Sequence, residues 1–169
     1  MKRFAISTAF VIAACVGLVR AGAPESKSVV SDKQANQRVM LQTREGYFLR
    51  AKRGGGDNVV ADVLQPKTSE VFVMEWLDND SIRLQTRDGH YVGARLGGGA
   101  GIDATIEKPG SSEVFAVEWI DDERTRLRLR TREGFYLHPV LGGGDDVDAR
   151  EVRPGSSEVL TMIIVPNAD

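Results

Sequence analysis

The sequence predicts an all-β protein, a β-trefoil of three pseudo-symmetric four-stranded repeats with twelve strands in all, on three observations. A block of features occurs three times in the same order. Each block carries short runs in which apolar and polar residues alternate, the period of a half-buried strand. Three such units are too few for a propeller, which closes with roughly four or more blades, whereas a trefoil closes with three.

The block opens on a Thr-Arg-Glu-Gly turn at Thr43 to Gly46, which returns as Thr86 to Gly89 and Thr131 to Gly134. The turn glycines Gly46, Gly89 and Gly134 lie 43 and 45 residues apart, and the later features keep those spacings. Self-similarity at a fixed period is settled before any other reading of a chain. Before the turn, a first strand is expected from Val39 and Leu41, Ile82 and Leu84, and Leu127 and Leu129. A second strand follows the turn. A third carries Val59 and Ala61, Ile102 and Ala104, and Val147 and Ala149. A fourth carries Phe72, Met74 and Trp76, then Phe115, Val117 and Trp119, then Leu160, Met162 and Ile164. The repeats are placed at 38–80, 81–124 and 125–166. The two-residue excess falls at Asp121 to Arg124, a polar connection where insertion costs little.

Upstream, Met1-Lys2-Arg3, the apolar or small run Phe4 to Val19, and Ala21-Gly22-Ala23 form the pattern of a secretory signal peptide at 1–23, cleaved before Pro24. Ile12 to Cys15 offers the alternative of a lipid anchor through Cys15, although Val16 to Val19 continue the apolar run where a lipoprotein usually turns polar. Residues 24–37 read as a flexible polar lead-in. The chain carries net charge −2, and removal of 1–23 takes away Lys2, Arg3 and Arg20 and no acid. An acidic chain argues against nucleic acid as a partner. The segment at Phe4 to Val19 is too short and wrongly flanked for a transmembrane span. With Cys15 the single cysteine, a secreted form is held by its core and not by disulfides. A monomer is expected. Asn79-Asp80-Ser81 is a glycosylation sequon.

Five arginines alternate at 124, 126, 128, 130 and 132, so a single strand would project them from one face. Arg126, Arg128 and Arg130 are the first candidates for gripping an anionic ligand, because guanidinium groups bind carboxylate, sulfate or phosphate bidentately. Arg44, Arg87 and Arg132 sit at the three turns, beside Glu45, Asp88 and Glu133, which can neutralise them. Tyr47, His90 and Phe135 occupy one equivalent position and Phe48, Tyr91 and Tyr136 the next. Alternation would send one set outward, where an aromatic could stack on a sugar face. The triplets Gly54-Gly55-Gly56, Gly97-Gly98-Gly99 and Gly142-Gly143-Gly144 read as hairpin loops, or as backbone N–H groups open to a ligand. Glu70, Glu113 and Glu158, each after serine, suit a turn-stabilising role.

No catalytic constellation is expected. The two histidines, His90 and His138, stand at non-equivalent positions, and no motif for a nucleophile, metal or cofactor is present.

Leu41 to Ala51, the Gly-Gly-Gly-x-x-Val-x-Ala that follows, and Glu70-Val71-Phe72 together resemble the fascin-like (actin-crosslinking-like) β-trefoil. There an apolar strand leads through Gly-x-Tyr-Leu-x-Ala to a later Glu/Asp-x-Phe. The resemblance covers Arg38 to Val165 in all three copies, and the third departs from it at His138-Pro139, Leu160 and Ile163-Ile164. It implies a non-enzymatic binding module. Fascin-like domains crosslink actin inside cells, and similar domains are appended to secreted glycosidases. With the expected signal peptide, the partner implied is a glycan or extracellular protein, with actin-filament crosslinking as the alternative and trefoil-type protease inhibition behind both. Ricin-type lectins look less apt, since their Gln-x-Trp is missing.

Overall fold

The computed structural model describes residues 35–166. The expected signal peptide, Cys15 and the lead-in as far as residue 34 lie outside the described residues.

Each repeat forms one lobe of four strands. The first holds β1 (Gln37–Thr43), β2 (Phe48–Ala51), β3 (Val59–Val63) and β4 (Phe72–Trp76). The second holds β5 (Ser81–Gln85), β6 (Tyr91–Ala94), β7 (Ile102–Ile106) and β8 (Phe115–Trp119). The third holds β9 (Arg126–Thr131), β10 (Tyr136–Pro139), β11 (Asp145–Glu151) and β12 (Leu160–Ile164). The outer strands β1, β4, β5, β8, β9 and β12 pair antiparallel in that order, and β12 returns to β1 in a closed barrel. Closure leaves no barrel edge for another chain to extend. The inner hairpins β2–β3, β6–β7 and β10–β11 form a cap at one end. They touch in a ring through Asp146 with Val60, Asn58 with Asp103, and Gly101 with Asp148.

The alternation read from the sequence is the alternation of the barrel wall. Val39 and Leu41 point inward from β1, as do Phe72, Met74 and Trp76 from β4, and all five are buried. Burying a side chain of this size contributes about 1.5–3 kcal/mol. At the end away from the cap, Trp76 and Trp119 stack with centroids 6.3 Å apart.

Two expectations need correction. The arginine run is not one strand face: β9 begins at Arg126, and Arg124 lies before it in a left-handed turn (φ 56°), 5.9 Å over the Trp119 ring. Asp121 causes this by gathering the Thr125 N–H, the Thr125 hydroxyl and the Arg126 N–H, at 2.8, 2.7 and 3.1 Å. The Thr125 hydroxyl, with those N–H groups, holds the Asp121 carboxyl well below the usual range.

Nor does either aromatic set point freely outward. Tyr47, His90 and Phe135 are half-buried against neighbouring glycine loops, whereas Phe48 and Tyr136 are buried and Tyr91 half-buried along the seams between lobes. The Tyr91 hydroxyl donates to Glu75 (3.2 Å), and the Tyr136 hydroxyl donates to Glu118 (3.0 Å), which also accepts from Arg130 Nε (2.9 Å). At the third seam the corresponding residues are Phe48 and Ile163, with Met40 in the place of Arg83 and Arg128. That seam has exchanged its tyrosine, glutamate and arginine together, so no lone carboxylate or hydroxyl is left without a partner.

Candidate functional site

The three turns have one construction. Thr43 N–H donates to Tyr47 O (2.7 Å), the Thr43 hydroxyl accepts from Tyr47 N–H (3.2 Å), and Gly46 N–H returns to Thr43 O (3.0 Å). Thr86 and Thr131 repeat the pattern, and all three threonines are buried. The turn thereby holds Arg44, Arg87 or Arg132 outward and lays the following aromatic over a glycine triplet of another lobe.

That contact runs in a cycle. A Cβ added to Gly55 would lie 2.6 Å from His90 Nδ1, one on Gly98 would lie 2.3 Å from Phe135, and one on Gly143 would lie 2.6 Å from Tyr47. The preceding acids lie against Gly54, Gly97 and Gly142 in the same rotation: Asp88, Glu133 and Glu45. Gly98 shows why glycine is needed, since its φ of 140° and the ring pressed on it leave no place for a side chain. The third glycine of each triplet donates to the next lobe, Gly56 to Ala104 O, Gly99 to Ala149 O and Gly144 to Ala61 O, at 2.7, 2.6 and 2.6 Å. The second donates within its own loop, to Lys52, Arg95 or Val140 O. Six of the nine N–H groups considered for a ligand are therefore committed, three to joining lobes and three within their own loops.

The openings lie between those turns and the barrel. One cleft of about 400 Å³ has Gln42, Thr43 and Arg44 on one lip and Arg126, Ser156 and Thr161 on the other. A second, of about 270 Å³, sets Gln85, Thr86 and Arg87 against Arg38, Thr68 and Val73. A third, of about 230 Å³, sets Arg130, Thr131 and Arg132 against Ser81, Val114 and Ala116. The three are related by the repeat, and each lies where one lobe meets the next. Two arginines and no carboxylate line each one.

The predicted stripe is thus divided. Arg126 and Arg130 belong to different clefts. Arg128 lies between them with one terminal nitrogen on Gly155 O (3.0 Å) and a buried Nε without a partner. Asp121 engages Arg126 and Glu118 engages Arg130 through Nε alone, so their terminal nitrogens stay available. Arg87 is more tied, to Asp88 (3.0 Å) and the Thr68 hydroxyl (3.2 Å). Arg38, in the second cleft, was missed by sequence reasoning because it stands alone. Its partner Arg87 is 49 residues away, and only the closed barrel brings them together.

Residues 38–165 match the family described as "Domain of unknown function (DUF7910)". The chain belongs to the DUF7910 family. No curated protein matches the sequence. Among solved structures, the DUF7910 chain is similar to SeviL bound to asialo-GM1 saccharide, with a TM-score of 0.61 and 12% identity, covering 76% of this chain and 98% of that one. It is also similar to the designed 3-fold symmetric protein ThreeFoil, with a TM-score of 0.65 and 14% identity over 75% and 97% of the two chains. A mosquitocidal holotoxin gives a TM-score of 0.66 at 10% identity, over 78% of this chain and 17% of the toxin. At these identities the likeness establishes the β-trefoil fold. Among the described residues, no helix is long and apolar enough to cross a membrane, and no three His, Cys, Asp or Glu side chains gather to hold a metal ion.

Proposed function

We propose that this protein is a secreted, non-enzymatic β-trefoil module that binds an extracellular glycan bearing carboxylate or sulfate groups through its three lobe-junction clefts. The observation that carries the reading is the lining of those clefts: paired arginines without a carboxylate, three times over, on a chain whose net charge is −2. Paired guanidiniums suit planar anions, and threonine, serine and glutamine on the lips suit sugar hydroxyls. Three equivalent sites on one rigid body would convert weak single contacts into avidity for a repeating polymer, a gain of roughly 10²–10⁴ where geometry permits. The saccharide named with SeviL supports a trefoil as a glycan-binding module.

The test is a glycan array probed across a salt series, run beside actin co-sedimentation on the same preparation. Binding to sulfated or uronate-bearing glycans that weakens steeply with salt is expected. Absence of glycan binding together with actin bundling would replace this reading with the fascin-type one. Export is checked separately, by sequencing the N-terminus of secreted protein, which should begin at Pro24.

A further inference from the structure

Each lobe buries one glutamate beneath its cap hairpin: Glu70, Glu113 and Glu158. All three accept a backbone N–H through Oε2, from Lys67, Gly110 and Gly155 respectively. The other oxygen is treated differently in each lobe. Glu70 Oε1 accepts from the Ser69 hydroxyl (2.7 Å), with the Arg50 guanidinium nearby, and Glu158 Oε1 faces His138 Nε2 at 3.8 Å. Glu113 Oε1 has no protein donor among the described residues, although Glu113 is only 6% exposed.

The reason is the residue above it. Where the first lobe has Arg50 and the third has His138, the second has Gly93. A Cβ there would lie 2.6 Å from Glu113 Oε1, so the carboxylate leans into the space left by the missing side chain. A pocket of about 180 Å³ opens over it. Its other acid, Asp103, is already engaged by Arg95 Nε (2.6 Å) and the Thr105 hydroxyl (2.9 Å), so Glu113 is the unanswered group. Two exposed apolar side chains rim the opening, Leu96 at 92% and Ile106 at 41%. Leu96 is held outward in a left-handed conformation (φ 59°), costly for a leucine.

We propose that the Gly93 pocket binds an alkylguanidinium group, its charge on Glu113 Oε1 and its aliphatic stem along Leu96 and Ile106. In the first lobe Arg50 extends such a group from the chain itself into the equivalent space, its guanidinium bidentate to Asp62 (2.6 and 2.7 Å) and near Glu70, whereas the second lobe has Thr105 in the place of Asp62, which leaves Glu113 as the unengaged carboxylate there. A carboxylate oxygen that lacks a protein donor and opens onto a pocket gains from a charge-assisted bond, and a rim of this kind favours a cation on a hydrocarbon stem over a bare inorganic ion. The site shares no residue with the three clefts and does not depend on the glycan reading.

The experiment is a titration of the whole protein with n-butylguanidinium, followed by calorimetry and by the amide shifts of Gly93 and Ser112, with n-butanol as the uncharged control. Saturable one-site binding in the millimolar range is expected, with n-butanol at least about tenfold weaker. Gly93→Arg should fill the pocket from within and weaken binding by about tenfold or more. Should that variant fail to fold, Glu113→Gln, which keeps an oxygen for the Gly110 N–H, should give the same loss. Arg44→Ala/Arg126→Ala, which alters a glycan cleft, should bind n-butylguanidinium as the wild type does. Agmatine and an arginine-centred tripeptide then distinguish a free amine from a peptide as the natural source. No saturable binding, or affinity unchanged in both pocket variants, would overturn the proposal.

Discussion

The cap and the clefts are both repeated three times, yet they differ in what is held constant. In the cap, every triplet keeps glycine at all positions, a side chain of the neighbouring turn on the middle one, and a hydrogen bond from the third to an alanine carbonyl. In the clefts, the turn threonine stays while the rim changes: arginine, serine and arginine at 38, 81 and 126, and glutamine, glutamine and arginine at 42, 85 and 130. The first is packed against backbone, where nothing larger fits. The second faces solvent, where a change alters charge without disturbing the fold. Within one molecule, invariance marks the joint and variation marks the surface free to select a ligand.

The largest effect that would break this comparison is in the cap. Gly98→Val should lose about 3 kcal/mol or more of stability in urea denaturation, from positive φ and collision with Phe135. A loss under about 0.5 kcal/mol would mean that the cap yields as surfaces do. Removing the covering ring by Phe135→Ala should cost about 2 kcal/mol, less than a full core truncation because the ring is half-buried. Arg44→Ala/Arg126→Ala should leave urea stability within about 0.5 kcal/mol while weakening anionic glycan binding by about tenfold and flattening its salt dependence.

The smallest effect lies in the seams. Tyr136→Phe should cost about 1 kcal/mol, and Phe48→Tyr should destabilise rather than restore, since Ile163 offers no acceptor. Burial first, and then the bond to Glu118, hold the Tyr136 hydroxyl above its ordinary value. Burial and Glu75 do the same for Tyr91. A group that keeps its proton harder when folded contributes fully below the unfolded value, about pH 10, and loses that contribution as pH rises through the folded one. Thermal midpoints should therefore fall above about pH 10, and Tyr91→Phe/Tyr136→Phe should shrink that fall.

Much of the fold was legible because a half-buried strand writes its period into Val39 and Leu41 or Phe72, Met74 and Trp76, and because repetition makes each weak signal three. The clefts were legible only in halves. Arg44, Arg87, Arg126 and Arg130 stand out by repeat or by alternation, but which pairs meet depends on barrel closure. The run at 124–132 misled for a local reason: Asp121 ends the preceding strand in a turn that period alone does not reveal. Glu113 looked like its two counterparts, and its difference lay in Gly93, a residue notable for the side chain it lacks.

The rotation of turn onto glycine loop has a temporal side. Tyr47, near the start of the described chain, rests on Gly143, near its end, and β12 zips along β1 from Val39 to Thr43. Nothing finished can emerge from a ribosome until the third lobe has left it, because Tyr47 and the β12-facing side of β1 have no partner before then. Assembly of this kind favours contacts far apart in the chain over local ones, so the protein should fold slowly for its size.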